Sequence, residues 1–408
     1  MSNEEAPTVV DLFCGAGGLA LGFTEAGFKI VLARDANAAA VATYRRNVGD
    51  HVAEEEIHAE TALPEADVFI GGPPCQGFSS AGMRRPGDAR NTLVSAYAKL
   101  IARHRPTAFV FENVEGFLTG EDGARVLDLL DPVIEVGYHV HLRKVNAANY
   151  GVPQHRKRVV AIGGLGWSPT FPAPTHAAYG APGAQLVGRH LPPTPPLSSA
   201  LDGLPAPAAN APGVPPGHFT GKVGAKDLER LRALGPGQSM RDLPEDLWHE
   251  TFSRRAHRRV QDGTPTERRG GAPHGIRRLR ADQPSKAITS MTRAEFVHPV
   301  DDRFLTLREC ARIQGFADEF VFEGSQAEQA TIIGNAVPPR LAFALAASLR
   351  ADLAAARRRT GVAGKLLSFV PTESTGMSPA LARITAEVRA RFMSGPEVPI
   401  GGQVGLWG

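Results

Sequence analysis

Short apolar runs that alternate with helical patterns dominate the first 165 residues, and this alternation limits the possible folds more than any other feature. Runs with the length and composition of buried strands lie at 8–13, 29–33, 68–70, 108–111 and 159–162. Helical patterns lie between them, at 18–26, 38–47 and 91–104. Strand, helix and strand in repetition predict a parallel sheet with helices on both faces. Because ligands bind at the carboxyl ends of such strands, we expect the chemistry just after Phe13, Ile70 and Phe111.

The remainder of the chain is less regular. Between residues 172 and 216, 12 of the 33 prolines fall within 45 residues, which predicts a long and largely irregular connection. Helical patterns return at 307–316 and 339–357, and one more lies at 379–392 in the Gly/Pro-rich end of the chain.

The three cysteines, Cys14, Cys75 and Cys310, are scattered and form no CxxC pair. This spacing excludes a disulfide framework and a classical zinc site, so we expect no metal and a reducing cytoplasm. The chain starts with an acidic segment rather than a signal peptide, and no apolar stretch reaches about 18 residues. We therefore expect a soluble, cytoplasmic protein with no membrane partner.

Positive charge is concentrated in one segment. Nine arginines and two acidic residues lie between Arg254 and Arg280, a net charge of +7, whereas the whole chain carries +3. Such a concentration favours a surface that meets phosphates. A solvated loop with scattered charge is the alternative interpretation.

A glycine-rich turn, Phe13-Cys14-Gly15-Ala16-Gly17-Gly18, follows the first strand and opens a helix. Glycines there let a ligand approach the backbone and the helix N-terminus closely. Asp35, at the end of the second strand, is placed to bind ribose hydroxyls. Together they suggest a nucleoside-containing cofactor, although the glycine spacing is not that of the dinucleotide fingerprint. A tight turn and an ordinary helix cap would explain the same residues.

A rigid turn, Gly72-Pro73-Pro74, follows the third strand and presents Cys75 at the same edge of the sheet. Glu112 emerges there too, directly behind an apolar strand, as either a helix cap or a catalytic acid. A thiol and a carboxylate that meet above one sheet suggest a nucleophile and a general acid. Further along, alternation in an extended strand places Gln154, Arg156 and Arg158 on one face.

In order, these motifs resemble those of the C5-cytosine DNA methyltransferase family. The chain has Asp11-Leu12-Phe13-Cys14-Gly15-Ala16-Gly17-Gly18, then Pro73-Pro74-Cys75-Gln76, Glu112-Asn113-Val114, Gln154-x-Arg156-x-Arg158, Pro284-Ser285-Lys286-Ala287-Ile288-Thr289 and Gly334-Asn335-Ala336-Val337-Pro338-Pro339. The resemblance covers roughly 7–165 and 284–349. The segment between these ranges corresponds to the family's variable target-recognition region.

The resemblance implies a Rossmann-like, S-adenosylmethionine-dependent methyltransferase domain with a mostly parallel sheet, and a smaller, irregular target-recognition domain. The catalytic domain would be discontinuous, formed by 7–170 and 331–358, because the helix that starts near Pro339 returns to it. Residues 171–330 would form the recognition domain, with the Pro-rich connection 172–216 and the Arg-rich segment 254–280. Residues 359–408 would be a C-terminal tail of unknown role.

The resemblance also implies a mechanism. The Cys75 thiolate would add to cytosine C6, Glu112 would hold or protonate N3, and Arg156 and Arg158 would bind the O2 side of the base, which must be flipped out of the duplex. C5 then takes the methyl group of S-adenosylmethionine. The residues expected to contact double-stranded DNA are Gln154, Ser79, Arg254, Arg255, Arg258, Arg259, Arg268 and Arg269.

The cofactor S-adenosylmethionine would bind to residues from both ends of the chain. By resemblance these are Phe13, Gly15, Gly17, Gly18, Asp35, Glu60, Pro73, Asn335 and Ala336. Three positions depart from the family pattern. Ala36 stands where an aromatic residue often lies against adenine, Glu60 stands roughly in place of an aspartate, and Lys286-Ala287 replaces a more usual Pro/Thr pair.

Three other functions compete with this one. A tRNA cytosine methyltransferase shares the Pro-Cys-Gln chemistry, but its Cys-Phe-Thr motif is missing, because no cysteine lies between Cys75 and Cys310. A nicotinamide oxidoreductase is disfavoured by the glycine spacing. A DNA-binding protein without catalysis would be expected to have lost Cys75, Glu112 or the arginines. For the methyltransferase we expect a monomer that acts on duplex DNA, with a cognate restriction endonuclease on the same site but no stable complex.

Overall fold

The computed structural model describes residues 5–74, 92–181, 183–184, 187–253, 275–355, 362–372 and 377–393. The strands are β1 Thr8–Leu12, β2 Lys29–Asp35, β3 Val52–Glu54, β4 Val68–Gly71, β5 Ala108–Val114, β6 Tyr138–Asn146, β7 Gln154–His155, β8 Lys157–Leu165, β9 Arg277–Arg278, β10 Ser285–Lys286, β11 Phe296–Val297 and β12 Lys365–Val370. The helices are α1 Gly18–Glu25, α2 Ala38–Asn47, α3 Thr92–His104, α4 Ala124–Glu135, α5 Leu197–Leu201, α6 Ala225–Ala233, α7 Thr292–Glu295, α8 Leu307–Gln314, α9 Gln326–Asn335, α10 Pro339–Ala355 and α11 Pro379–Phe392.

A sheet of eight strands forms the centre of the described chain, in the order β12-β6-β8-β5-β4-β1-β2-β3. Its strands pair in parallel except β8, which runs antiparallel to both β5 and β6. The predicted α/β fold with a mostly parallel sheet is confirmed. The antiparallel β8 matters for the site, because it brings its first residues to the carboxyl end of β5.

Both faces of the sheet are covered by helices, which explains why its central strands are apolar throughout rather than alternating. One core lies between the sheet and α1, α2 and α10, and the other lies between the sheet and α3, α4 and α11. Val9 and Ile70 face the first core, whereas Val10 and Phe69 face the second. Successive residues of each strand are therefore buried on opposite sides.

Helix α10 packs against α1 although more than 300 residues separate them in sequence. A Cβ atom on Gly22 would lie 2.4 Å from the Phe343 backbone nitrogen, so only glycine allows this approach. The stretch Gln326–Ala354, which comprises α9 and most of α10, is long and apolar enough to cross a membrane. Within it, 67% of an 18-residue apolar window is buried inside the protein, as expected for helices of a protein core.

Two smaller apolar clusters lie in the second half of the chain. One joins α5, α8 and α9 to Ala16 and Ala40 of the first part, and the other gathers α6, the segment 240–252, Ile276 just before β9, and β11. The Pro-rich connection 172–216 contains one short α-helix, α5, among its described residues, in keeping with the predicted irregularity.

The Arg-rich segment lies mostly outside the described residues, including Arg254, Arg255, Arg258, Arg259, Arg268 and Arg269. Arg278 is described, and for this residue the prediction of a phosphate-facing surface is wrong. Its side chain is 4% exposed, and it donates to the carbonyl oxygens of Leu231 and Leu234 and pairs with Asp302 at 2.6 Å. Arg278 therefore stabilises the apolar cluster around α6 by hydrogen bonds to its backbone.

The C-terminal segment is part of the central sheet. Helix α11 has the predicted bounds, 379–392, but β12 was not predicted. β12 pairs in parallel with β6, and the Ser368 hydroxyl bridges His141 Nδ1 at 2.7 Å and Arg143 Nε at 2.8 Å. We expected residues 359–408 to be a tail of unknown role. Instead, β12 forms the outer strand on one side of the sheet, and α11 contributes to the core on one of its faces.

Replacement of Ile384 by Ala tests this packing. Ile384 is 1% exposed and fills the space beside Gly123, so we expect the free energy of unfolding in urea to fall by about 2–4 kcal/mol. Arg383→Ala is the matched control on the same helix, since its ion pair with Asp122 is largely exposed and contributes less than about 1 kcal/mol. Equal stability of the two variants would show that α11 does not belong to the core.

Candidate active site

The carboxyl ends of β1, β4 and β5 lie side by side in the sheet. The turn after β1 begins at Phe13, β4 leads into Gly72-Pro73-Pro74, and β5 carries Glu112 near its end. The sheet order therefore brings the three sequence motifs to one edge. Cys75 and Ser79 lie outside the described residues, so the structure reaches this turn only as far as Pro74.

Glu112 forms a buried ion pair with Arg158 of β8. Arg158 Nε lies 2.8 Å from Glu112 Oε1, and both side chains are about nine-tenths buried, at 12% and 8% exposure. Burial raises the pKa of Glu112, and the charges of Arg158 and Arg156 oppose this increase. Because Glu112 lies within β5 and not at the start of a helix, the interpretation of this residue as a helix cap is wrong.

The Pro-Pro turn is tied to the same strand. Asn113 Nδ2 donates to the carbonyl oxygen of Pro73 at 3.0 Å, and Asn113 Oδ1 accepts from the Val114 backbone N–H. A Cβ atom on Gly72 would lie 3.2 Å from Glu112 Oε2, so glycine suits the close approach of the turn to the carboxylate. Sequence reasoning missed Asn113, whose only signal was its place directly after the glutamate.

The turn after β1 has an unusual backbone. Phe13 has a φ of 58°, which is costly for a residue with a bulky side chain, and Gly15 has a φ of 54°. Asp35 holds this turn, because its carboxylate accepts from the Gly15 N–H at 2.9 Å and from the Asn37 N–H at 2.8 Å. A Cβ atom on Gly15 would meet nothing within 4 Å, so the turn is open on this side.

Gly17 and Gly18 are required for packing within the protein. A Cβ atom on Gly18 would lie 2.1 Å from the Val337 carbonyl oxygen, and one on Gly17 would collide with Val48 and Tyr44. Through Gly18, the turn after β1 touches the segment that follows Asn335 and Ala336.

Asp11 is a functional candidate that sequence reasoning missed. It is fully buried in β1, and neither carboxylate oxygen has a hydrogen-bond partner among the described residues. Burial raises its pKa strongly, and the charge of Asp35 raises it further. Burying a carboxyl group without a partner costs stability, which makes Asp11 a candidate functional residue. The available signal was an aspartate within the apolar run 8–13.

Gln154 and Arg156 lie in the protein interior. Gln154 is 0% exposed and donates to the Ile313 carbonyl oxygen, and Arg156 is 1% exposed and donates to the carbonyl oxygens of Ile288, Gly334 and Ala336. We expected Gln154 to contact DNA and Arg156 to contact the base. The structure corrects both expectations, because both side chains are buried and donate hydrogen bonds to backbone carbonyl oxygens of the protein. Only Arg158 of the three faces Glu112.

The remaining predicted cofactor residues occupy different environments. Pro73 and Ala336 are buried, whereas Asn335 is exposed at the end of α9 and Glu60 is exposed in the turn after β3. Within the described part of the chain, no cluster of three or more His, Cys, Asp or Glu side chains could hold a metal ion.

A double replacement separates the structural and chemical roles of the ion pair. Glu112→Gln should lower the free energy of unfolding by about 3 kcal/mol, because it leaves the Arg158 charge buried without its partner. Adding Arg158→Met should restore most of this stability. Catalytic activity should stay at least about 100-fold below that of the unchanged protein in both variants, since neither can supply a proton. If the double variant recovered activity together with stability, Glu112 would have only a structural role.

Comparison with known proteins agrees with this site. The family model described as C-5 cytosine-specific DNA methylase matches residues 7–176 and 233–351. Type II methyltransferase M.AgeI of Thalassovita gelatinovora is 34% identical over 84% of this chain and 98% of its own length, and Type II methyltransferase M1.HphI of Haemophilus parahaemolyticus is 33% identical over 83% and 85%.

Among solved structures, one described as a DNA modification methyltransferase encoded within a prophage of E. coli has the same fold. It superimposes with a TM-score of 0.58 at 24% identity, over 86% of this chain and all of its own. The family model and the relatives both extend over the catalytic edge and the second half of the chain. The chain belongs to the C-5 cytosine-specific DNA methylase family.

Proposed function

We propose that this protein transfers a methyl group from S-adenosylmethionine to C5 of a cytosine in a specific duplex DNA sequence. The observation that carries the proposal is the buried Glu112–Arg158 pair beside the Pro73–Pro74 turn that leads into Cys75. The pair offers a carboxylate for the N3 side of a pyrimidine and a guanidinium for its O2 side. Asn113 keeps the turn in register with the carboxylate.

The residues at this edge suit activation of a cytosine ring, whose C5 atom is a poor nucleophile. The Cys75 thiolate adds to C6 and forms a C–S bond, and Glu112 protonates N3 as electrons move through the ring to C5. Burial raises the pKa of Glu112, which favours the protonated form that a proton donor needs. C5 then takes the methyl group that S-adenosylmethionine would supply, with the cofactor's neutral thioether as the leaving group. Solvent accepts the C5 proton, the Cys75 thiolate leaves C6, and the N3 proton returns to Glu112, which restores the neutral aromatic ring. S-adenosylmethionine supplies the electrophilic methyl group.

The turn after β1 suits a positively charged cofactor. Asp11 and Asp35 place two carboxylates beside the turn, and both oxygens of Asp11 lack a partner among the described residues. S-adenosylmethionine carries a sulfonium and an ammonium group, which would balance these charges. A dinucleotide would bring a negative pyrophosphate to the same place, which disfavours the oxidoreductase alternative. The residues that would hold the cofactor are Asp11, Phe13, Gly15, Asp35, Asn335 and Ala336.

Asp11→Asn should change cofactor affinity and stability in opposite directions. Removing a buried, unpartnered carboxylate should raise the melting temperature of the cofactor-free protein by a few degrees. The dissociation constant for S-adenosylmethionine, measured by titration calorimetry, should rise by about tenfold or more, because a charge-assisted hydrogen bond is lost. An unchanged dissociation constant would exclude Asp11 from the cofactor site.

The substrate in this proposal is double-stranded DNA with the cytosine flipped out of the stack, since C6 is inaccessible inside a duplex. The tRNA alternative is less favoured, because the matching family model is that of DNA methylases. We place the enzyme in the cytoplasm, as a monomer, in a restriction-modification system whose endonuclease acts on the same site without a stable complex. Its relatives are named as Type II methyltransferases.

Replacement of Cys75 tests the covalent step. Cys75→Ser should reduce methyl transfer by orders of magnitude while S-adenosylmethionine still binds, and Cys310→Ala should be far milder. Bisulfite sequencing of DNA from cells that express each protein measures the outcome and reads the target sequence. Activity of Cys75→Ser above about one tenth of the original would exclude a covalent role. Methylation of tRNA without methylation of DNA would favour the alternative function.

A further inference from the structure

A buried arginine joins the base-binding strand to the wall of the cofactor site. Arg156 Nη1 donates to the Ile288 carbonyl oxygen at 2.8 Å, and Nη2 donates to those of Gly334 and Ala336, each at 2.8 Å. These three acceptors lie 132 to 180 residues further along the chain. The guanidinium thus connects segments that only the tertiary fold brings together.

The acceptors explain why a cation is placed there. Gly334 lies in the last turn of α9 and Ala336 directly follows that helix. The last carbonyl groups of a helix lack intrahelical partners and carry partial negative charge, so a buried guanidinium satisfies and stabilises them. Gln314 adds a second donor, from Nε2 to the Ile333 carbonyl oxygen at 2.6 Å. Together the two side chains determine where α9 ends.

The end of α9 has little freedom to move elsewhere. A Cβ atom on Gly334 would lie 2.4 Å from the Ser290 backbone nitrogen, so the segment 288–290 packs directly on it. The Val337 carbonyl oxygen in turn lies against Gly18 at the start of α1. The position that Arg156 sets for α9 is therefore transmitted to the turn after β1, where Asp35 holds Gly15.

Arg156 is also two residues from Arg158, the partner of Glu112. We propose that Arg156 is a positioning residue: it holds the 334–337 wall of the cofactor site in register with the strand that carries Arg158. This inference rests on the proposed function. Arg156 acts through the protein backbone and touches neither the base nor the cofactor, so its loss weakens S-adenosylmethionine binding more than it slows the chemical step.

Arg156→Lys provides the test, because lysine keeps the charge but lacks the planar fork that reaches three carbonyl groups. We expect the dissociation constant for S-adenosylmethionine without DNA to rise about tenfold or more, with kcat at saturating cofactor within about threefold of the original. Arg158→Lys should show the opposite pattern, a large loss of kcat with little change in cofactor binding.

Arg308→Lys is the matched control for structural damage. Arg308 is also 1% exposed and donates to three backbone carbonyl oxygens, those of Pro216, Ala317 and Phe320, none of which belongs to α9 or β8. It should lower the melting temperature as Arg156→Lys does and leave cofactor affinity unchanged. If the two variants weaken cofactor binding equally, Arg156 has only a general structural role, and the proposal fails.

Two further outcomes decide the matter. If Arg156→Lys binds the cofactor normally but has lost kcat, Arg156 acts at the base, and the proposal is overturned. If Arg156→Lys does not fold, Gln314→Met replaces it, with an expected rise of about threefold in the dissociation constant, and no rise would overturn the proposal. If the unchanged protein binds S-adenosylmethionine but methylates no DNA, the proposed function is refuted. The role of Arg156 can still be tested, because the cofactor dissociation constants of the Arg156→Lys and Arg308→Lys variants can be compared without DNA.

Discussion

The site depends on one constraint: ionisable side chains are buried where the carboxyl ends of β1 and β5 meet the start of β8. Glu112, Arg158, Arg156 and Asp11 are all buried there, and each must be matched by a partner of opposite charge or by dipoles. Arg158 forms an ion pair with Glu112, and backbone carbonyl oxygens accept hydrogen bonds from Arg156. Asp11 alone has no partner among the described residues, and burial raises its pKa strongly.

The antiparallel β8 makes this arrangement possible. A strand parallel to β5 would begin at the amino end of β5, on the far side from the site. β8 instead starts beside the carboxyl end of β5, with Arg158 opposite Val114. The residues just before β8 then lie between the catalytic edge and the second half of the chain. Gln154 and Arg156 join the two halves from this position, and β7, which contains Gln154, pairs with β10.

Local patterns in the sequence predicted five of the eight strands of the sheet, several of its helices and the meeting of three motifs at one edge, because each depends on short-range periodicity and on the direction of the strands. They did not predict β3, β6 or α4. The partners of Gln154, Arg156 and Arg278 were not predictable in this way. An arginine that binds phosphate and one that binds carbonyl groups 178 residues away have the same local sequence signal. β12 was missed because a six-residue strand carries little periodicity of its own.

The position of β12 has a consequence for how the protein can be shortened. The family match ends at residue 351, yet β6 would then form the rim of the sheet, with its backbone N–H and C=O groups unpaired. Such a rim is a template for strands of other molecules and promotes aggregation. A protein trimmed to the family boundary would thus lose solubility although it keeps the whole matched region.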